Sequence, residues 1–202
     1  YDQREGESQP IETKSSYRWL AGALSSRKRL AKQSRMTVVS DRESDIYESM
    51  AQMCSHEIDF VIRAQHNRTL ADSDLKMDQY IANCPERARL SIEVRLDSRL
   101  DQQAGKRSAT LDLRFGPLQI QRPHKAASSG IKHYPKALNL YFVDLKEQRQ
   151  DKPIHWRLLT THPINSIEQA KQIVQYYQMR WHIEQLFRLL KKQGLEVEEL
   201  EL

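Results

Sequence analysis

Apolar residues recur along this chain with different periods, and each period predicts a different kind of element. Between Lys14 and Ala31, Trp19, Leu20, Ala23, Leu24 and Leu30 gather near one face behind a serine cap, which predicts an amphipathic helix. Its end is basic, with Arg27, Lys28, Arg29 and Lys32, as suits the negative end of a helix dipole. The short β-branched run Met36-Thr37-Val38-Val39-Ser40 then ends in Asp41, the pattern of a buried strand that delivers a carboxylate to the edge of a sheet. Ile46, Met50 and Met53 return to helical spacing, and Ile58 to Arg63 reads as a second strand ending in a cation. The order is β-α-β, consistent with an α/β core.

From about Ser91 the period falls to two. Leu90, Ile92, Val94 and Leu96 alternate with polar residues, as do Leu111, Leu113 and Phe115, then Leu118 and Ile120. Leu138, Leu140 and Phe142 follow, and then Ile154, Trp156 and Leu158. Turn signals at Gly105-Lys106-Arg107, Gly116-Pro117, Ser129-Gly130 and Arg149-Gln150-Asp151 divide this stretch into about five antiparallel strands. Last comes Ser166 to Gly194, without an internal Pro or Gly. Asn165 or Ser166 can cap it, Glu168 or Gln169 can complete a capping box, and Gly194 stands at the C′ place, so one long helix is expected. The boundaries read as 1–87 for the α/β part, 88–160 for the antiparallel section and 161–202 for the long helix.

That helix carries Tyr177, Arg180, Glu184 and Lys191. At about 100° per residue the four fall within an arc of roughly 60°. Met179, Ile183, Leu186 and Leu190 form a separate apolar stripe about a third of a turn away, expected to anchor the helix to a core. A row of charges is usually a solvated face, but Tyr177 and Trp181 beside it are costly to leave in water. Asp41 has a plain structural role open to it, as N-cap of the following helix. Asp45 is equally acidic, so the local sequence does not choose which of the two would bind a metal.

Composition narrows the classes. The 202 residues are 39% hydrophobic, enough for one or two domains, and carry a formal net charge of +5. The pI is about 9.2, which suits a polyanionic partner. Arg99, Lys106, Arg107, Arg122, His124, Lys125 and Lys132 lie in or near the connections of the antiparallel section, where they could flank a phosphate backbone. Cys54 and Cys84 form neither a metal spacing nor a disulfide framework, so a reduced, cytoplasmic protein is expected. No apolar run spans a bilayer and no signal peptide is visible. The polar start YDQREGESQP and the final LEVEELEL read as pieces of a longer chain.

Asp41-Arg42-Glu43-Ser44-Asp45-Ile46, then Arg63, then Trp156 ahead of Tyr177-x2-Arg180-x3-Glu184-x6-Lys191, resembles the DDE transposases of bacterial insertion sequences. The likeness is greatest to insertion-sequence family four, which includes the cut-and-paste enzyme of transposon five, and it covers nearly the whole chain. The resemblance implies a ribonuclease-H-like α/β core with an antiparallel β-sheet insertion before the final catalytic helix. It also implies a triad of two Asp and one Glu holding two divalent cations, Mg²⁺ or Mn²⁺, and a dimer acting on transposon-end DNA. By this match Asp41 is the second Asp and Glu184 the Glu, both catalytic and both metal ligands. Arg63, Tyr177, Arg180 and Lys191 match positions that hold DNA phosphates, and Trp156 matches an aromatic that stacks on a flipped base.

The implied chemistry suits these residue types. Two hard cations roughly 3.5–4 Å apart can activate an oxygen nucleophile and stabilise a leaving oxygen, and they prefer carboxylate ligands. Arg and Lys meet phosphate charge. One departure is large. The family's first Asp lies on a core strand well upstream of the second, whereas the forty residues before Asp41 read as loop and helix, and Asp2 has no strand around it. The expected core is therefore partial, and two functions stand side by side: a truncated transposase lacking its first catalytic Asp, or a non-catalytic DNA-binding or inhibitory remnant.

Overall fold

The computed structural model describes residues 17–31, 34–73, 75–95, 106–123, 133–149 and 153–192, with the backbone alone at 94, 95, 106, 184, 187, 188, 191 and 192. Eleven elements are described within it. They are α1 (Tyr17–Arg29), β1 (Thr37–Ser40), a 3-10 turn (Arg42–Ser44), α2 (Tyr47–Ser55), β2 (Asp59–Arg63), α3 (Met77–Asn83), β3 (Ala88–Arg95), β4 (Lys106–Gln121), β5 (Ala137–Glu147), β6 (His155–Thr160) and α4 (Ile167–Lys192). The strands form one mixed sheet in the order β1-β2-β6-β5-β4-β3. The fold is α/β, as expected. β1 and β2 are parallel, which is what a crossover through α2 requires, and the other pairings are antiparallel.

Strand alternation sorts the apolar side chains onto two faces. Phe60 and Ile62 join Leu118, Ile120, Leu138, Leu140, Phe142 and Leu159 on one face, under α1, α2 and α3. Val61 joins Leu111, Leu113, Val143, Leu145 and Leu158 on the other, under the first half of α4. The near-continuous apolar run of β2 follows from this, because helices cover it on both sides. Phe60, Val61 and Ile62 are fully buried, each worth about 1.5–3 kcal/mol relative to exposure. The Tyr47 hydroxyl on α2 donates to the Pro135 carbonyl (2.8 Å), tying α2 to the approach to β5. Burial pushes that phenol up to about 12.

Four sequence expectations differ from the structure. Gly116-Pro117 is no turn but the middle of β4, where Pro117 sits opposite Tyr141 of β5. It is tolerated there because β3 pairs with β4 only as far as Leu113, so that side of β4 has no ladder at Pro117 for a missing N–H to break. Four strands therefore occupy the stretch read as about five. α3 lies in a stretch where no element is expected, although Met77 and Ile81 at i, i+4 supply its two buried residues. Trp19 (54%) and Leu30 (43%) are exposed, so only Leu20 and Ala23 of the α1 face are buried.

The fourth difference concerns α4. Ser166 caps it as expected, its Oγ accepting from the Gln169 N–H (3.3 Å), while Gln169 Oε1 accepts from the Asn165 N–H (2.7 Å). But Met179, Ile183 and Leu186 are half-exposed or more, and the residues that anchor the helix are Ala170, Ile173, Val174 and Tyr177. Those four lie on the arc that Arg180, Glu184 and Lys191 continue along the helix. Arg180 thus lies on the extension of the inward face, and Met179, Ile183 and Leu186 lie about a third of a turn from it. Leu96, Arg99, Gly105, His124, Lys125, Ser129-Gly130, Lys132, Gln150-Asp151, Lys32 and Gly194 lie outside the described residues.

Candidate active site at the end of the first strand

β1 ends at Ser40, and the next residue, Asp41, turns the chain into the 3-10 turn. Its Oδ1 accepts the Glu43 N–H (3.2 Å), so the capping role open to it in the sequence is realised on a single turn rather than on α2. Its Oδ2 faces Arg180 Nη1 at 3.4 Å, with the Asp41 side chain 43% exposed and that of Arg180 22%. Residues 139 apart in sequence are brought together because α4 crosses the sheet face at β1 and β2. The Arg180 guanidinium also lies 6.0 Å from the Tyr177 ring centroid and 5.6 Å from that of Trp181, within reach of cation–π attraction.

The pair stands in a groove of about 440 Å³ between α1, β1 and the second half of α4. Trp19, Val38, Met53, Met179 and Ile183 give it apolar walls, while Ser40, Asp41, Glu43 and Arg180 supply polar groups. Ser40 Oγ is buried without a hydrogen-bond partner among the described residues.

Asp45 has a different fate. It is 2% exposed. Its Oδ2 accepts the N–H groups of Gln65 (2.7 Å) and His66 (2.8 Å), and Oδ1 accepts Arg68 Nη2 (2.6 Å) and Nε (3.1 Å). Arg68 Nη2 also donates to the Asp45 carbonyl (2.7 Å). Every lone pair that could meet a cation is directed at the loop after β2. Asp45 is a structural acid, and Asp41 is the one left at the groove.

The other expected residues divide. Arg63 follows Ile62, the register partner of Ser40, and so stands at the same sheet end as Asp41. Its described hydrogen bond runs away from Asp41, from Nη2 to the His155 carbonyl (2.9 Å). His155 in turn places Nε2 2.8 Å from Asp144 Oδ1, which also accepts Arg157 Nε (3.0 Å). Trp156 is 7% exposed and meets Tyr177 edge-on, ring centroids 5.3 Å apart. Both rings belong to the core beneath α4, where the indole is largely covered, so neither stands open in this geometry. Trp181 on the same helix is 40% exposed. Glu184 and Lys191 lie on α4, with their side chains outside the described residues.

A divalent cation asks for several oxygen ligands. Among the described residues no three His, Cys, Asp or Glu side chains converge, and the outer oxygen of Asp41 already faces a guanidinium. The described groups do not by themselves form a cation cage. Cys54 and Cys84 are both free thiols, and no helix among the described residues is long and apolar enough to cross a membrane.

At the end of a parallel strand, then, an acid is met by an arginine from α4. Residues 23–200 match the family described as Transposase DDE domain, and the chain belongs to that family.

Proposed function

We propose that this chain is the downstream part of the catalytic domain of an insertion-sequence transposase of family four, built on a partial ribonuclease-H-like core. The proposed reaction of the complete enzyme is cleavage and joining of DNA phosphodiesters at transposon ends, with two divalent cations and a dimeric assembly. The observation that carries the reading is the approach of Asp41 to Arg180 at 3.4 Å in an open groove. Asp41 and Glu184 are the proposed cation ligands, since hard Mg²⁺ or Mn²⁺ favours carboxylate oxygens. When bound, the cations supply the polarisation that activates an attacking oxygen and steadies a leaving one.

The roles proposed for the chain's own residues are positional. Arg180 and Lys191 hold backbone phosphates, Arg180 with the geometric definition that a planar guanidinium gives. Arg63 flanks them from the end of β2. Tyr177, and Trp156 behind it, fix the inward face of α4 so that Arg180 is presented one turn further on. This support role replaces the base platform expected of Trp156, because that indole is 7% exposed. Two acids matching the family's triad are present, so we expect DNA binding without turnover from this chain. The second reading is a non-catalytic DNA-binding or inhibitory remnant.

The test has two arms. Binding of the purified chain to duplex DNA should weaken steeply with salt, since the visible cations are directed at phosphate rather than at base edges. A flat salt response would remove the DNA reading. Incubation of transposon-end DNA with the chain and Mn²⁺ should give no cleavage. Turnover abolished by Glu184→Ala would show that a complete site exists in these 202 residues and that the truncated reading is wrong.

A further inference from the structure

Asp41 and the DNA backbone proposed as the ligand of Arg180 both lay claim to that residue. The groove places both claims on one guanidinium. Arg180 Nη1 faces Asp41 Oδ2 at 3.4 Å, and the aromatic rings of Tyr177 and Trp181 lie 6.0 and 5.6 Å from the guanidinium carbon, holding the head near the groove wall. The Asp41 carboxylate is itself anchored from behind by the Glu43 N–H (3.2 Å), so it does not need Arg180 to stay in place. A 3.4 Å pair with side chains 22% and 43% exposed is weak and open to competition. A phosphate diester offers the guanidinium two oxygens in a matched fork, a stronger partner than one carboxylate oxygen.

We propose that Arg180 is an exchangeable mask on Asp41: backbone phosphate entering the groove takes the guanidinium, and Asp41 is uncovered only where DNA is present. This rests on the DNA-binding reading and adds a specific antagonism, because Asp41 competes with DNA for Arg180. The acid therefore opposes DNA binding by more than its charge alone.

The experiment is a comparison of three variants in duplex binding across a salt series. Asp41→Asn removes the competing charge and keeps a side chain able to cap the 3-10 turn. Glu43→Gln removes the same charge from the lining of the same groove without touching Arg180. Both should tighten binding by simple electrostatics, but D41N should exceed E43Q by up to about five-fold, the range expected for an exposed ion pair. The log–log salt slope should change little, because on this reading Arg180 meets a phosphate in both the unaltered chain and D41N. In an Arg180→Gln background the excess should vanish.

Equal tightening by D41N and E43Q overturns the proposal, as does an excess that survives in R180Q. Weaker binding by D41N also overturns it, and would show Arg180 bridging acid and phosphate together. The D41N–E43Q comparison needs no Arg180 variant, so a misfolded R180Q would not shelter the idea. Failure of the unaltered chain to bind duplex DNA at all would sink the DNA reading and this inference with it. Binding without the D41N excess sinks only this inference.

Discussion

Two aspartates four residues apart show how far identical chemistry can diverge. Asp45 has no exposed side-chain surface and holds Arg68, 8% exposed, as a buried pair. Removing one partner of such a pair strands the other charge. Asp45→Ala should therefore cost about 3–5 kcal/mol, read from the urea midpoint, while Asp41→Ala should cost about 0.5–2 kcal/mol as a lost cap. Similar losses at the two positions would mean that Asp41 is also structural. A third acid gives a pH signature. Arg107 binds Glu147 through both oxygens, at 2.5 and 2.8 Å, and the Ile154 N–H adds a third hydrogen bond. Chiefly through the Arg107 bonds, its carboxyl is held down to about 2 from an ordinary 4.5. A depressed carboxyl contributes stability fully above the unfolded value and loses it as the folded group protonates. The acid limb of stability should thus fall between about pH 4.5 and 2, and Arg107→Gln should flatten it; an unchanged limb would count against the pair.

At the scale of elements, α4 behaves as two helices on one axis. Its first half is a packing element, with Ala170, Ile173, Val174 and Tyr177 against the sheet. In its second half Arg180 takes up the continuation of that face, and Met179, Ile183 and Leu186 are more than half exposed. Replacing Ile173 by Ala should cost about 2–4 kcal/mol, as for other buried large-to-small changes. The same change at Ile183, 54% exposed, should stay within about 0.5 kcal/mol. Thermal unfolding of the two variants separates the cases directly, and a larger loss at Ile183 would reverse the assignment of faces. The β4 strand carries a related lesson: Gly116-Pro117, a dipeptide that signals a turn in the sequence, is accommodated inside a strand opposite Phe142 and Tyr141.

For the whole molecule, the exposed apolar positions are concentrated. Among the described residues β1 is an edge strand of four residues with no charge or proline to blunt it, and the apolar groove runs beside it between Trp19, Met179 and Ile183. Unprotected edges and contiguous apolar surface favour association. Sedimentation velocity should show the chain associating as its concentration rises, and Ile183→Glu should shift it toward monomer. A chain that stays monomeric at high concentration would show that this face is adequately solvated as it stands.

The sequence by itself determined the elements whose signal is local. The β-α-β unit, the long helix with its Ser166 cap, and the alternating strands of the antiparallel section were legible because burial on one face or both leaves its own period in the residues. The motif also marked Asp41 and Arg180 as candidates. What only the tertiary structure decided was which way each period faced and which groups met. Periodicity locates a stripe on α4 but does not say whether the stripe or its neighbour meets the sheet. That was settled by the register of the first half, where Ala170, Ile173, Val174 and Tyr177 bury. The choice between Asp41 and Asp45 was likewise invisible locally, because it depends on Arg68, Gln65 and His66 arriving from beyond β2 to consume one of them. The motif implies an open platform at Trp156, and the packing of Tyr177 against that ring, from an element later in the chain, made it core. Distances between side chains far apart in sequence follow from how helices cross the sheet, and no local pattern encodes that crossing.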